Sequence, residues 1–127
     1  MKMRKITSIE ILNKKFYVFA VLSFLDSIIS NHKKVDISRY NKLRFVVGEV
    51  LKNRIETSYP GEEGTLWVEL FMSDTYFEVS IRDKGVPIYC CGEEMQELIP
   101  GTTEASGEKQ GASWSSIQCS FYFSSEI

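Results

Sequence analysis

Two stretches of the chain alternate with period two, and two others repeat at the spacing of a helix. Leu66, Val68, Leu70 and Met72 alternate with Thr65, Trp67, Glu69 and Phe71. Phe77, Val79 and Ile81 alternate with Tyr76, Glu78, Ser80 and Arg82. With Ser73-Asp74 as a tight connection, this predicts an antiparallel hairpin that lays one face on helices. Upstream, Phe16, Phe19, Leu22, Leu25 and Ile29 follow the three-four spacing, and Val18, Val21, Phe24 and Ile28 widen the stripe. The spacing predicts a helix over 16–29 buried on two sides, in a core or a dimer interface. A second helix is predicted over 37–57, with Tyr40, Leu43, Val46, Val47, Val50 and Leu51 on its core face. Asp36 is placed to cap its first turn, and Tyr59-Pro60-Gly61 ends it. Thr7 to Leu12 alternates weakly and reads as a short edge strand. Beyond Arg82 the pattern breaks: 83–88 reads as a turn, 93–98 as one or two helical turns, 100–111 as a mobile loop and 120–124 as a short strand.

Composition narrows the classes without choosing among them. A chain of 127 residues argues for a single domain over 1–127. The net charge of -2 leaves no broad basic field for nucleic acid or an anionic membrane. The cluster Lys2, Arg4, Lys5, Lys14 and Lys15 has no aromatic side chains interleaved and reads as solvated surface. Cys90, Cys91 and Cys119 form no disulfide framework, and with His32 as the lone histidine no zinc spacing appears. Reduced thiols and a cytoplasmic location follow. The apolar run from Phe16 to Leu25 is too short for about 30 Å of hydrocarbon. A signal peptide is disfavoured by Glu10 and by the lack of a small-residue cleavage site.

Candidate chemistry lies on the second helix and after the hairpin. Glu49 and Asn53 share one stripe at i, i+4. A carboxylate there is suited to general base work, and a carboxamide oxygen is a hard neutral ligand for magnesium. Asp83 follows a buried strand and offers an acceptor at a fixed place. Gly85 lets a flat ligand come close because it lacks Cβ, and the N–H groups of the 101–111 loop are able to fold over phosphates.

The sequences VVGEVLKNRIETSY and TLWVELFMSDTYFEVSIRDKGVPI, in that order before a glycine-bearing loop, resemble the anti-sigma factor and serine protein kinase branch of the GHKL (Bergerat-fold, histidine kinase-like) ATPases. The resemblance covers about residues 7–111. It implies an α+β fold, an α/β sandwich whose mixed, mostly antiparallel sheet carries helices on one face. It also implies ATP and Mg2+ as cofactors. Glu49 takes the place of the catalytic base, Asn53 that of the magnesium ligand, and Asp83 that of the acceptor for the adenine amino group. Gly85 matches the glycine of the same turn, and Pro87 a proline of this branch. The loop of about 100–111 corresponds to the ATP lid, with Gly101, Thr102 and Gly111 as nucleotide-binding residues. The implied function is that of an ATP-binding regulator that holds a sigma factor and phosphorylates a serine of an antagonist protein, as a homodimer.

Some positions differ from the pattern. Arg54 and Thr57 stand where the branch has a small residue and a histidine. The glycine-leucine repeat after the lid is replaced by Gly111-Ala112-Ser113-Trp114-Ser115. The C-terminal end therefore reads as atypical or truncated, with the final helix and strand missing or divergent. Two alternatives stay open: a non-catalytic interaction module on the same fold, and an orphan histidine kinase-type ATPase domain. For the latter, His32 lies in a short polar break and not on a dimerisation helix.

Overall fold

A computed structural model describes residues 4–32, 35–86, 103–106 and 115–122, the side chains of 103–106 excepted. The chain runs β1 (Arg4–Leu12), α1 (Tyr17–Ile29), α2 (Ile37–Thr57), β2 (Thr65–Met72), β3 (Tyr76–Asp83), β4 (Thr103–Ser106) and β5 (Ser115–Tyr122). The strands form one five-stranded sheet in the order β1-β2-β3-β5-β4. This is an α+β fold. Every pairing in that sheet is antiparallel, where a mixed sheet is expected from the sequence.

Strand parity builds the core. In register, Val68 faces Ile81 and Leu70 faces Val79 across β2 and β3. Ile81 then faces Ile117, Val79 faces Cys119 and Phe77 faces Phe121 across β3 and β5. These residues are all buried, and they share one cluster with Val21, Leu25, Leu43, Val47, Val50 and Leu51 of the helices. Both helices thus cover one face of the sheet, with α2 over β3 and β5 and α1 beside β1. The ends of α1 and α2 run past each other in opposite directions. Lys15 pairs with Glu56 at 2.7 Å, and Asp26 pairs with Arg44 at 2.9 Å.

Local signals set the element boundaries. The Asp36 side chain accepts from the Arg39 N–H at 3.2 Å, as the cap of α2. Gly61 adopts φ of 72°, the left-handed turn that follows the helix end. At the outer edge, β1 carries a register shift between Lys5 and Thr7, a bulge that blunts an exposed edge strand.

The structure departs from the sequence expectations in three further places. Phe16 and Phe19 lie on the expected apolar stripe of α1 but are 66% and 76% exposed. The stripe is wider than the sheet below it, and Val18, Val21, Leu22, Leu25 and Ile29 fill the inward side. The expected mobile loop of 100–111 contains strand β4, held by β5 through pairs such as Glu104 with Ile117. The short strand placed over 120–124 begins earlier, at Ser115, and lies inside the sheet between β3 and β4. The helical turns expected over 93–98 lie outside the described residues, as does Pro87. No described helix is long and apolar enough to cross a membrane.

Asp26 ties α1 to α2 through a contact that depends on pH. Tyr40 Oη donates to its Oδ1 at 2.6 Å and Arg44 Nε donates at 2.9 Å. Burial pushes this carboxyl up, but the bonds from Arg44 and Tyr40 outweigh it and hold it below the usual value. A carboxyl lowered in the folded state stabilises fully above its unfolded value, and that contribution is lost as pH falls through the folded value. We expect Asp26→Asn to reduce stability at neutral pH and to flatten the acid limb of the stability profile, measured by urea titration from pH 7 to pH 3.

Candidate functional site

Parity along β3 decides the environment of Asp83. Phe77, Val79, Ile81 and Asp83 all point toward the helices, so the carboxylate is turned inward and is 0% exposed. Its partner is reached by helix periodicity. Leu43, Val47, Val50 and Arg54 follow one another at three- and four-residue steps on the buried face of α2, and Arg54 is 3% exposed.

The two side chains form a buried bidentate ion pair. Arg54 Nε donates to Asp83 Oδ2 at 2.9 Å, and Nη2 donates to Oδ1 at 2.8 Å. Arg54 Nη2 also donates to the Val86 carbonyl at 2.6 Å, and Nη1 donates to Thr57 Oγ1 at 3.4 Å. The Gly85 N–H adds a second bond to Asp83 Oδ1 at 2.9 Å. A buried pair holds only when its remaining donors and acceptors are also bonded, and the Asp83–Val86 turn supplies those bonds.

The same turn closes the C-terminal end of α2. The Val86 N–H donates to the Ser58 carbonyl at 2.6 Å, one of the carbonyls the helix leaves unpaired. The Lys84 N–H donates to Tyr59 Oη at 3.0 Å, and that hydroxyl donates to the Thr65 carbonyl at 2.7 Å. A Cβ on Gly85 would lie 1.8 Å from the Ser58 carbonyl oxygen. The sequence reading assigns this glycine to close approach by a ligand; the group that approaches it here is the backbone of Ser58.

Glu49 and Asn53 lie on a stripe of α2 that flanks the buried face, and both are exposed. Glu49 Oε2 lies 3.4 Å from Lys52 Nζ, an exposed i,i+3 pair of small energetic weight. The Asn53 carbonyl accepts from Thr57 Oγ1 at 2.8 Å, and its carboxamide stands outward. Arg54 thus connects the two halves of the constellation, since it follows Asn53 in the chain and is bonded to Asp83. Gly101, Thr102 and Gly111 lie outside the described residues.

The outward stripe of α2 is accessible, whereas the Asp83 end is closed by protein. Sequence reasoning notes Arg54 as an oddity beside Asn53 and does not pair it with Asp83. The signal was present: both residues continue buried stripes, and two buried charges of opposite sign on facing elements call for each other. Among the other reactive groups, the Cys119 thiol is pushed up to about 12, first by burial and then by the nearby Glu78 carboxylate. That keeps it protonated and unreactive. Among the described residues no group of three or more His, Cys, Asp and Glu side chains is arranged to hold a metal ion. Comparison with known proteins found no match, either to a protein-family model or to a curated protein.

Proposed function

We propose that this chain is an ATP-binding regulatory domain of the anti-sigma serine kinase type, acting in the cytoplasm on a sigma factor and an antagonist protein. One observation carries the reading. The exposed Glu49 carboxylate and Asn53 carboxamide share one accessible stripe of α2, and the turn after β3 packs against the end of that helix. The residues fit the implied ligands unequally. Asn53 presents an exposed carboxamide oxygen, the type of ligand magnesium accepts alongside phosphate and water oxygens. Glu49 is restrained only by the exposed Lys52 and is able to take a proton from an attacking hydroxyl. Magnesium-bound ATP, when present, would supply the transferable phosphoryl group. Asp83 is fully buried and both its oxygens are bonded, so an amino group reaches it only after Arg54 has moved.

The test is a thermal titration with ATP, with and without magnesium. A ligand at a hundredfold its Kd adds about 2.7 kcal/mol, or several degrees in a domain of this size. We expect a magnesium-dependent rise in the wild-type chain, with the magnesium dependence lost in Asn53→Ala. That residue is exposed, so the variant keeps its fold. An unchanged midpoint at millimolar ATP and magnesium, in the wild-type chain and in variants that free Asp83 from Arg54 alike, would reject the reading.

A second reading, a non-catalytic interaction module on the same fold, is favoured by the buried Arg54–Asp83 pair. It predicts no phosphate transfer to a serine of any antagonist. The exposed Phe16 and Phe19 of α1 are the apolar residues a homodimer would use.

A further inference from the structure

We propose that Arg54 is an internal competitor for the nucleotide base, so that the site is held shut by its own guanidinium until that side chain leaves Asp83. The inference rests on the nucleotide reading above and concerns the regulation of the same site. A guanidinium and the amino group of an aminopurine can both place an in-plane N–H donor from a flat π system on a carboxylate oxygen, although the purine offers one such donor beside a ring-nitrogen acceptor where the guanidinium offers a fork of two. Arg54 occupies both Asp83 oxygens, with one N–H on each at 2.8 and 2.9 Å, and so covers the position that a single amino donor would need. Both side chains are almost fully buried, at 4% and 1% exposed. A base therefore reaches Asp83 only by taking over at least the bond at Oδ2.

Displacement would also be felt beyond the carboxylate. Arg54 Nη2 holds the Val86 carbonyl at 2.6 Å, so its departure removes one of the bonds that hold the turn against the end of α2. The Gly85 N–H stays on Asp83 Oδ1 and keeps that oxygen oriented while Oδ2 changes partner. The Arg54 stem is long enough to turn toward the helix surface beside Asn53, where a triphosphate would attract it. The apparent affinity of the closed protein is then the intrinsic affinity scaled by the fraction of molecules in which Arg54 has left.

The experiment compares ATP-induced shifts in melting temperature for wild type, Arg54→Ala and Arg54→Lys, with UTP as the control nucleotide. Arg54→Lys keeps a cation for Asp83 but loses the planar fork and the bond to Val86. It is retained in case the alanine variant does not fold. We expect the apparent Kd for ATP to fall about tenfold or more in either variant, with no matching gain for UTP. A shift in a variant where wild type shows none would support the proposal most strongly. Equal or weaker ATP binding in the variants, with clear binding in wild type, would overturn it and leave the nucleotide reading standing. A gain shared equally by UTP would also overturn it, since the effect would then be a loosened anion site. No shift in any chain would reject both.

Discussion

Asp83→Ala should lower the stability of this protein by about 3–5 kcal/mol, because it leaves the Arg54 guanidinium buried without a counter-charge. That is a large share of the 5–15 kcal/mol typical of a folded domain. The cost does not come from the strength of the ion pair itself. Two charges removed from water lose hydration that their attraction in the interior roughly restores, so removing both is far milder than removing one. We therefore expect the double replacement Arg54→Met with Asp83→Leu to recover most of the loss. Urea titration of Arg54→Met, Asp83→Leu and the double variant closes the cycle, and a coupling near zero would contradict the paired geometry. There is a practical consequence for binding studies. Loss of ATP binding in Asp83→Ala would report unfolding as readily as a lost base contact, which is why the exposed Asn53 is the better probe.

Gly85→Ala should be nearly as damaging, at about 2–4 kcal/mol, for a steric and not an electrostatic reason. Its added methyl would meet the Ser58 carbonyl at 1.8 Å, a backbone atom that has no rotamer to escape into. The turn would have to lift from the end of α2. Lifting it breaks the Val86 N–H bond to Ser58 and loosens the Val86 carbonyl from Arg54. The expected signature is a lower urea midpoint together with faster amide exchange at Val86 and at the last turn of α2. A stability within 0.5 kcal/mol of wild type, the ordinary range for a surface change, would show that the turn does not pack as described.

Much of this architecture could be read from residue order. The hairpin of β2 and β3 follows from strict alternation, and α2 follows from its core stripe and its Asp36 cap. Both elements agree with their local propensities and with the sheet they join. Residues 115–122 were harder to read. Their serines and aromatics carry weak alternation, and burial of Ser115 and Ser120 hides the usual polar-out signal. Phe19 misled in the other direction: helical spacing shows which residues share a face, but not how wide a face the neighbouring layer will cover. The site divides along similar lines. Exposure of Glu49 and Asn53 was implicit in their offset from the core stripe. The closure of Asp83 was not, because it needs a contact between residues 29 positions apart.

The placement of β5 has a consequence for how the protein is made. It is late in the chain yet interior in the sheet, between β3 and β4. During synthesis, β1, the helices and the hairpin emerge first and lack the contacts that β5 makes with β3 and with α2. Until residues 115–122 leave the ribosome, β3 presents an open edge beside the apolar row of Phe77, Val79 and Ile81. Exposed edges of this kind template association with other chains. The growing polypeptide is therefore open to association along β3 until β5 arrives and fills the gap.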